Sequence, residues 1–408
     1  MQTITHRKSI LKEQPFTLAL AQELLATYGS PLYVYQSDIL RRTIARITKA
    51  ISYPQTQFCF ASVTNGNIAL LQIFQACGWG LHANTPGDIY LGIQAGFAPA
   101  RIVYSGSNLH GDEMEQVLKW GVKTLNFDSL AQLQLCCEVY QSFRENQQIL
   151  EPPSLGLRLN LPELTGDSRI GVRSTEFSEA IALARKAGLK LSGLHFYRGT
   201  GTNSTAAFTQ VIDTVIAVAE QLPDWEYLDF GGGFGYPYRG GTAFDWELFG
   251  SELTNRIERL DRPIELIVEP GRSVVAGCAT LLARVVSAKW QEAKQIVGLD
   301  TTVANLSVPS VHGGYREIYT WNCRDSLHLT DVCGNTTYSR DYLGKNCQLP
   351  ALAIGEILAI LDVGAYGYAM SSHFLHRPRP PEVLLENSQH RPIRKREDYR
   401  VLLANQVF

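Results

Sequence analysis

Short apolar runs of strand length alternate with amphipathic stretches through the first two thirds of the chain. The runs cover residues 58–61, 80–83, 102–105, 124–127, 155–160, 191–197, 227–230 and 266–269. Between them, segments such as 68–74, 178–187 and 208–221 carry apolar residues at helical spacing, as helices packed on a sheet do. Strands that alternate with helices and are themselves nearly all apolar predict a parallel sheet covered on both faces. Eight such strands and the helical crossovers between them fit a closed (β/α)8 barrel. An open doubly wound sheet is the rival, but it places its glycine-rich phosphate loop after the first strand, whereas here Gly231-Gly232-Gly233-Phe234-Gly235 follows the seventh. Beyond about residue 275 the pattern turns to β-rich segments with few helices, among them 282–286, 296–298 and 357–361. The predicted organisation is a barrel over 36–275, with a β-rich domain built from 1–35 and 276–408 that completes the site.

Composition changes this picture little. The chain of 408 residues is 45% hydrophobic and 19% charged, with a net charge of −2, so no basic footprint argues for nucleic acid or a membrane surface. The first residues lack an apolar signal core and no apolar run is long enough to span a bilayer, which predicts a cytoplasmic protein. The eight cysteines, at 59, 77, 136, 137, 278, 323, 333 and 347, show no metal-type spacing and read as free thiols.

Chemistry gathers where barrel strands end and loops begin. After the seventh strand, the glycines let backbone N–H groups approach an anion without a Cβ in the way. The eighth strand ends in Glu269-Pro270-Gly271-Arg272, supplying a carboxylate, another bare amide and a guanidinium. The β-rich part carries Asp362-Val363-Gly364-Ala365-Tyr366-Gly367-Tyr368, a glycine turn with aromatics.

Together these elements resemble the fold-type III pyridoxal-phosphate decarboxylases, the diaminopimelate, ornithine and arginine decarboxylase group, whose fold is an alanine racemase-like barrel plus a C-terminal β-domain. The resemblance runs from Pro31-Leu32-Tyr33-Val34-Tyr35 to Arg377-Pro378-Arg379-Pro380. It implies that Thr200, Gly231, Gly232, Gly233, Gly271, Arg272 and Tyr366 hold the cofactor phosphate. Glu269 would pair with the pyridine nitrogen. It also implies a homodimer whose site is shared between subunits, acting on a small amine or amino acid.

The same resemblance marks departures. The family's YAVKAN-like stretch, whose lysine forms the Schiff base, aligns with Phe60-Ala61-Ser62-Val63-Thr64-Asn65, so Val63 stands at the lysine position. Valine forms no Schiff base and relays no proton. No lysine lies from 55 to 90. Tyr197 takes the place of the ring-stacking histidine, in His195-Phe196-Tyr197-Arg198-Gly199-Thr200. His82 and Asn84 replace acidic and small residues. The substrate motif RPxxYG aligns with Val308-Pro309-Ser310-Val311-His312-Gly313, and the loop bearing a catalytic cysteine aligns with Thr337-Tyr338-Ser339, leaving only Asp341. Tyr197, His82, His312 and Asp341 are therefore the candidates for replacement chemistry. A three-histidine metal site from His82, His195 and His312 lacks ligand spacing, and no metal is expected. Lys345 reads as a loop lysine rather than a substitute for the missing one.

The expectation is a divergent decarboxylase-like protein that binds pyridoxal 5'-phosphate or another phosphate ligand, non-covalently, and works on an amine or amino acid in specialised metabolism. The alternatives are a non-catalytic homologue, acting as sensor or partner subunit, and a cofactor-independent enzyme in the old barrel.

Overall fold

The computed structural model describes residues 15–146, 151–166, 168–199, 201–322 and 326–407. A first strand, β1 (Leu32–Gln36), precedes eight parallel strands that close on themselves: β2 (Thr56–Ala61), β3 (Gly80–Ala83), β4 (Ile102–Tyr104), β5 (Thr124–Phe127), β6 (Ser154–Arg158), β7 (Leu191–His195), β8 (Tyr227–Asp229) and β9 (Glu265–Val268). Pairing of β2 with β9, Phe58 opposite Val268, closes the ring. The barrel is the predicted architecture, with strand ends shifted by one or two residues. The run 155–160 stops being barrel strand after Arg158, because Leu159 leaves to pair with Val172. The predicted helix 208–221 is two pieces, Ala206–Thr209 and Ile212–Ala219, broken where Val211 takes φ −102°.

Inside the barrel one large ring replaces several small side chains. The Tyr227 hydroxyl donates to Asn126 Oδ1 at 2.8 Å, and Gly156 and Gly193 make room for the ring. A Cβ on Gly193 would lie 1.8 Å from Tyr227 Cζ, with the ring caged on all sides. Gly193→Ala is expected to cost about 3 kcal/mol or more, the upper range for overpacking a dense core, read as a lower urea midpoint at unchanged slope.

The remaining strands are β10 (Ala279–Gln291), β11 (Lys294–Leu299), β12 (Ile318–Thr320), β13 (Leu327–Cys333), β14 (Tyr342–Pro350), β15 (Ile357–Leu361), β16 (Glu382–Glu386) and β17 (Gln389–Arg394). With β1 they form a nine-stranded sheet in the order β14-β13-β11-β10-β1-β16-β17, β15 pairing with β10 and β12. The helix Leu18–Tyr28 covers one face, burying Ala21, Leu24 and Leu25 against Leu32, Val34 and Leu282.

A buried carboxylate ties the sheet to the barrel. Glu382 on β16 accepts from the Tyr35 hydroxyl at 2.6 Å, from Asn67 Nδ2 at 2.9 Å and from Arg394 Nε. Asn67 caps the helix Ile68–Ala76, the one that follows the first barrel strand. The chain segment leading out of β2 is thus held from the β-domain side. No helix among the described residues is long and apolar enough to cross a membrane.

Candidate functional site

At the C-terminal end of the barrel a cavity of about 250 Å³ is lined by the ends of β2, β3, β6, β7, β8 and β9 and by Tyr366. Its wall on the β8 side is the glycine loop. Gly233 has φ +99°, and a Cβ on it would lie 2.3 Å from Gly199 O; one on Gly232 would lie 2.7 Å from Glu269 O. The loop is therefore a surface of bare backbone by necessity. Phe234 anchors it from below, stacked on Phe208 at 4.7 Å and against Trp246 at 4.5 Å. Burying that ring contributes about 2–3 kcal/mol to holding the loop in place.

Gly271 and Arg272 complete the cradle. Arg272 starts the short helix Arg272–Val275, and its guanidinium sits over the Tyr366 ring at 5.2 Å. Tyr366 itself has φ +58°, and its N–H donates to Thr64 O at 2.9 Å.

The opposite wall is the turn Ser62–Thr64, which carries Val63. The turn is pinned at each residue around Val63. Ser62 Oγ donates to His82 O at 2.9 Å, Thr64 Oγ1 donates to Ala61 O at 2.8 Å, and Asn65 Nδ2 donates to Gly364 O at 3.0 Å. Val63 itself is 45% exposed and lines the cavity. Among the described residues no lysine and no cysteine lines it.

The floor is polar and under-satisfied. His82 Nε2 and His195 Nε2 lie 3.5 and 3.4 Å from the two oxygens of Glu269, and all three residues are buried. Neither imidazole nitrogen of either histidine has a hydrogen-bond partner, nor has Glu269 Oε1. These contacts are not ion pairs. Burial lowers His82 to about 3, helped by the His195 and Arg158 charges, and lowers His195 to about 4, so both imidazoles are neutral near pH 7. Burial raises Glu269 to about 7, against an opposing hydrogen bond with Asp229 and the charge of Arg158. Asp229 is raised as well, by burial and by the Glu269 charge.

His195, Asp229 and Glu269 bring three ligand-capable atoms within 4.8 Å of one another. Asp229 is already committed, however. It accepts from Gly231 N at 2.9 Å and from Asn126 Nδ2 at 2.9 Å, one donor on each of its oxygens.

The structure gathers Val63, His82, His195, Tyr197, Gly232, Gly233, Glu269, Gly271, Arg272 and Tyr366 around one cavity. The other named residues take different places in the chain. Gly231 lies beneath the loop, and its N–H is given to Asp229 rather than to a ligand. His312 is exposed at the end of the short helix Val308–Val311 and does not line the cavity, and Thr337 is exposed elsewhere on the β-domain. Asp341 is buried and ties its own loop to the one after β11, accepting from Thr302 Oγ1, Val303 N, Thr336 N and Thr336 Oγ1. Thr200 lies outside the described residues. Asp341→Ala is expected to cost about 3 kcal/mol, by orphaning buried donors, while leaving ligand binding at the barrel unchanged in a fluorescence titration.

Two cavity-floor residues went unrecognised in the sequence. Arg158 ends β6, lines the cavity and lies with its guanidinium over the Tyr197 ring at 5.0 Å. Asp229 ends β8 beneath Gly231. Both occupy strand ends, the positions where a barrel concentrates its chemistry, so the strand-end rule applied to every strand would have found them.

Such a barrel mouth, with bare backbone and an arginine beside a buried carboxyl, has the chemistry to hold a small anionic molecule. The chain belongs to the pyridoxal-dependent decarboxylases: the family described as "Pyridoxal-dependent decarboxylase, pyridoxal binding domain" matches residues 37–276. Diaminopimelate decarboxylase of Methanothermobacter thermautotrophicus is 33% identical over 409 aligned residues, covering 95% of this chain and 94% of that protein. The crystal structure of Helicobacter pylori diaminopimelate decarboxylase complexed with L-lysine superposes with a TM-score of 0.86 at 28% identity, over 94% of this chain and 98% of that one. The Vibrio vulnificus lysine/ornithine decarboxylase complexed with cadaverine shares the fold, with a TM-score of 0.80 at 21% identity, over 90% of this chain and 96% of that one.

Proposed function

We propose that this protein binds pyridoxal phosphate without a Schiff base and acts on a small amine or amino acid other than diaminopimelate. The observation that carries this reading is the pairing of an intact cradle with an aliphatic rim. Gly232, Gly233, Gly271, Arg272 and Tyr366 surround the cavity, while Val63 occupies the rim and, among the described residues, no lysine lines it. The residues fit the cofactor. Its phosphate would take the bare backbone and the Arg272 guanidinium, and Glu269 Oε1, buried without a partner, would face the ring nitrogen. When bound, the cofactor supplies an electron-withdrawing ring.

The chain's own residues then set the conditions. Glu269 holds a proton or gives it up near pH 7, and neutral His82 and His195 each offer it one donor or one acceptor. Arg158 keeps a positive charge beside the floor, and Tyr197 offers a ring face towards the cavity. Nothing in the lining is a nucleophile of the thiol or amine kind. A substrate carboxylate would lack the guanidinium of the RPxxYG motif, because Val308 stands at that position, and an unpaired buried charge is costly.

That same lack of a lining amine favours a second reading, in which the protein is a non-catalytic homologue that senses a ligand or partners an active relative. Under either reading the reading of a homodimer with a shared site stays with the family resemblance, and size measurement in solution tests it.

The deciding experiment is an absorbance titration of the purified protein with pyridoxal phosphate, followed by borohydride reduction and peptide mapping. Saturable binding with no reduced adduct is expected. A covalent adduct on any lysine of the unaltered chain contradicts the non-covalent reading, and no binding at saturating cofactor contradicts the proposal and leaves the second reading. Carbon dioxide release across a panel of amino acids then separates enzyme from sensor.

A further inference from the structure

A cleft of about 320 Å³ opens where residues 396–399 cross the turn before β1 and the loop after β11. It shares no lining residue with the barrel cavity, and neither 308–313 nor 337–341 lines it. Three side-chain oxygens of its lining are buried without a hydrogen-bond partner: Ser30 Oγ, Asn305 Oδ1 and Asn335 Oδ1. Asn305 is 3% exposed and firmly held. Its Nδ2 donates to Thr301 Oγ1 at 3.1 Å, and its backbone oxygen accepts from the Tyr33 hydroxyl at 2.7 Å. A buried acceptor left unfilled is costly, and a donor brought by a ligand relieves that cost.

Charges of both signs line the same cleft without pairing. Arg377 donates to Asn335 O at 3.2 Å, and Arg396 donates to Tyr28 O and Pro31 O through a single Nη. Asp300 accepts from Arg284 N at 2.9 Å through one oxygen. Among the described residues none of these three charged groups has an opposite charge within ion-pair distance. Burial lowers Arg396, and the Asp300 charge acts against that shift. Asp300 and Arg396 are thus close enough to interact and too far apart to pair. The other carboxylates of the lining are already held, Glu397 by Arg379 and His373, and Asp398 by Arg400. What remains of the wall is Pro31, Pro378 and the Tyr399 ring.

We propose that this cleft binds a free α-amino acid with an apolar side chain, at a site separate from the barrel cavity and independent of what that cavity holds. Arg377 and Arg396 supply the donors that an α-carboxylate takes. Asp300 and the unfilled oxygens of Ser30, Asn305 and Asn335 supply acceptors for the three N–H bonds of an ammonium. The two prolines and the tyrosine ring leave an apolar surface for the side chain. An anion alone would leave Asp300 opposed, and a cation alone would leave two guanidinium groups opposed, so the zwitterion suits the lining best.

The test is isothermal titration calorimetry of the full chain with L-alanine, L-leucine and L-phenylalanine, each in a separate titration. Saturable binding of at least one is expected. For that amino acid, the N-acetyl derivative and the carboxamide, each lacking one charge, should bind the unaltered chain at least ten-fold more weakly. Arg377→Gln, and separately Asp300→Asn, which keeps an acceptor for Arg284 N, should each weaken binding about ten-fold. Arg158→Gln, which alters the barrel floor, should leave it within about two-fold. Binding lost in Arg158→Gln and kept in the other two variants assigns the amino acid to the barrel cavity and overturns the proposal. So does the absence of saturable binding by any probe, or equal binding of either derivative, or binding indifferent to all three substitutions. The pyridoxal phosphate titration is read by absorbance, so failure of that reading and failure of this one are seen separately.

Discussion

Val63→Lys is expected to convert a protein with no covalent pyridoxal phosphate into one that carries about one borohydride-reducible adduct per chain. The turn Ser62–Thr64 is pinned by hydrogen bonds from Ser62, Thr64, Asn65 and Tyr366, none of which involves the Val63 side chain. Val63 is 45% exposed, so a longer side chain enters the cavity without overpacking a core, and stability should change by no more than about 0.5 kcal/mol. Peptide mapping after reduction locates the adduct, and the visible absorbance band reports it directly. Decarboxylation of diaminopimelate should not return with it. Val308 and the exposed Thr337 leave the substrate end and the nucleophile unrestored, so the expected result is an adduct without turnover. Full turnover in the single variant would show that valine alone separates this chain from an ordinary decarboxylase. Tight binding without an adduct would show that the turn aims position 63 away from the ring.

Glu269→Gln is expected to stabilise the ligand-free protein at alkaline pH while weakening its hold on the cofactor. Below about pH 4.5 the carboxyl is protonated in both folded and unfolded chains, and the change should be nearly silent. Burial raises the folded value to about 7 from 4.5. Between those values the unfolded chain has released the proton and the folded chain retains it, so native stability falls as pH rises. Above about 7 the full cost is present, on the order of 3 kcal/mol for a shift of this size. Glutamine has no such cost, so the variant should gain on the unaltered protein through pH 4.5–7 and hold the gain at pH 8. Urea unfolding at pH 5 and pH 8 reads both ends. A variant equally displaced at the two pH values would place the ionisation elsewhere, with Asp229 the nearest alternative. Pyridoxal phosphate affinity should fall about thirty-fold, the equivalent of roughly 2 kcal/mol for one charge-assisted hydrogen bond.

His82 and His195 act in the opposite direction. Their folded values, about 3 and about 4, lie below that of a free imidazole, so the unfolded chain gains protons first as pH falls. Stability therefore declines towards acid below about pH 6.5, and the histidine and carboxyl effects partly offset each other between 4.5 and 6.5. This is why the single Glu269 substitution, rather than the pH profile of the unaltered protein, isolates the carboxyl.

Much of the architecture was legible in the order of residues. Eight apolar runs with helical spacers specify a barrel because parallel strands buried on both faces must be apolar throughout, and because a glycine loop after the seventh run matches no open-sheet alternative. The cradle was legible too, since a backbone that must approach an anion at φ +99° tolerates little besides glycine at Gly233. That Val63 stands at the lysine position rests on its flanks alone, and the reduction experiment on Val63→Lys tests it.

What the tertiary structure decided was which polar residues meet. His312 and Asp341 looked equivalent to His82 and Tyr197 as candidates, yet only the latter pair line the barrel cavity in this chain. Sequence spacing carries no distance between loops far apart in the chain, and Asp341 spends its oxygens on Thr336 in its own loop and on Thr302 and Val303 in another. Gly231 likewise differs from Gly232 and Gly233 only through Asp229, which takes its N–H. The raised carboxyl of Glu269 and the neutral imidazoles beside it exist only once the strand ends converge and exclude water. Sequence alone established a decarboxylase barrel; folding established that its mouth holds a buried floor of imidazoles and carboxyls, because desolvation and mutual charge are properties of the assembled site.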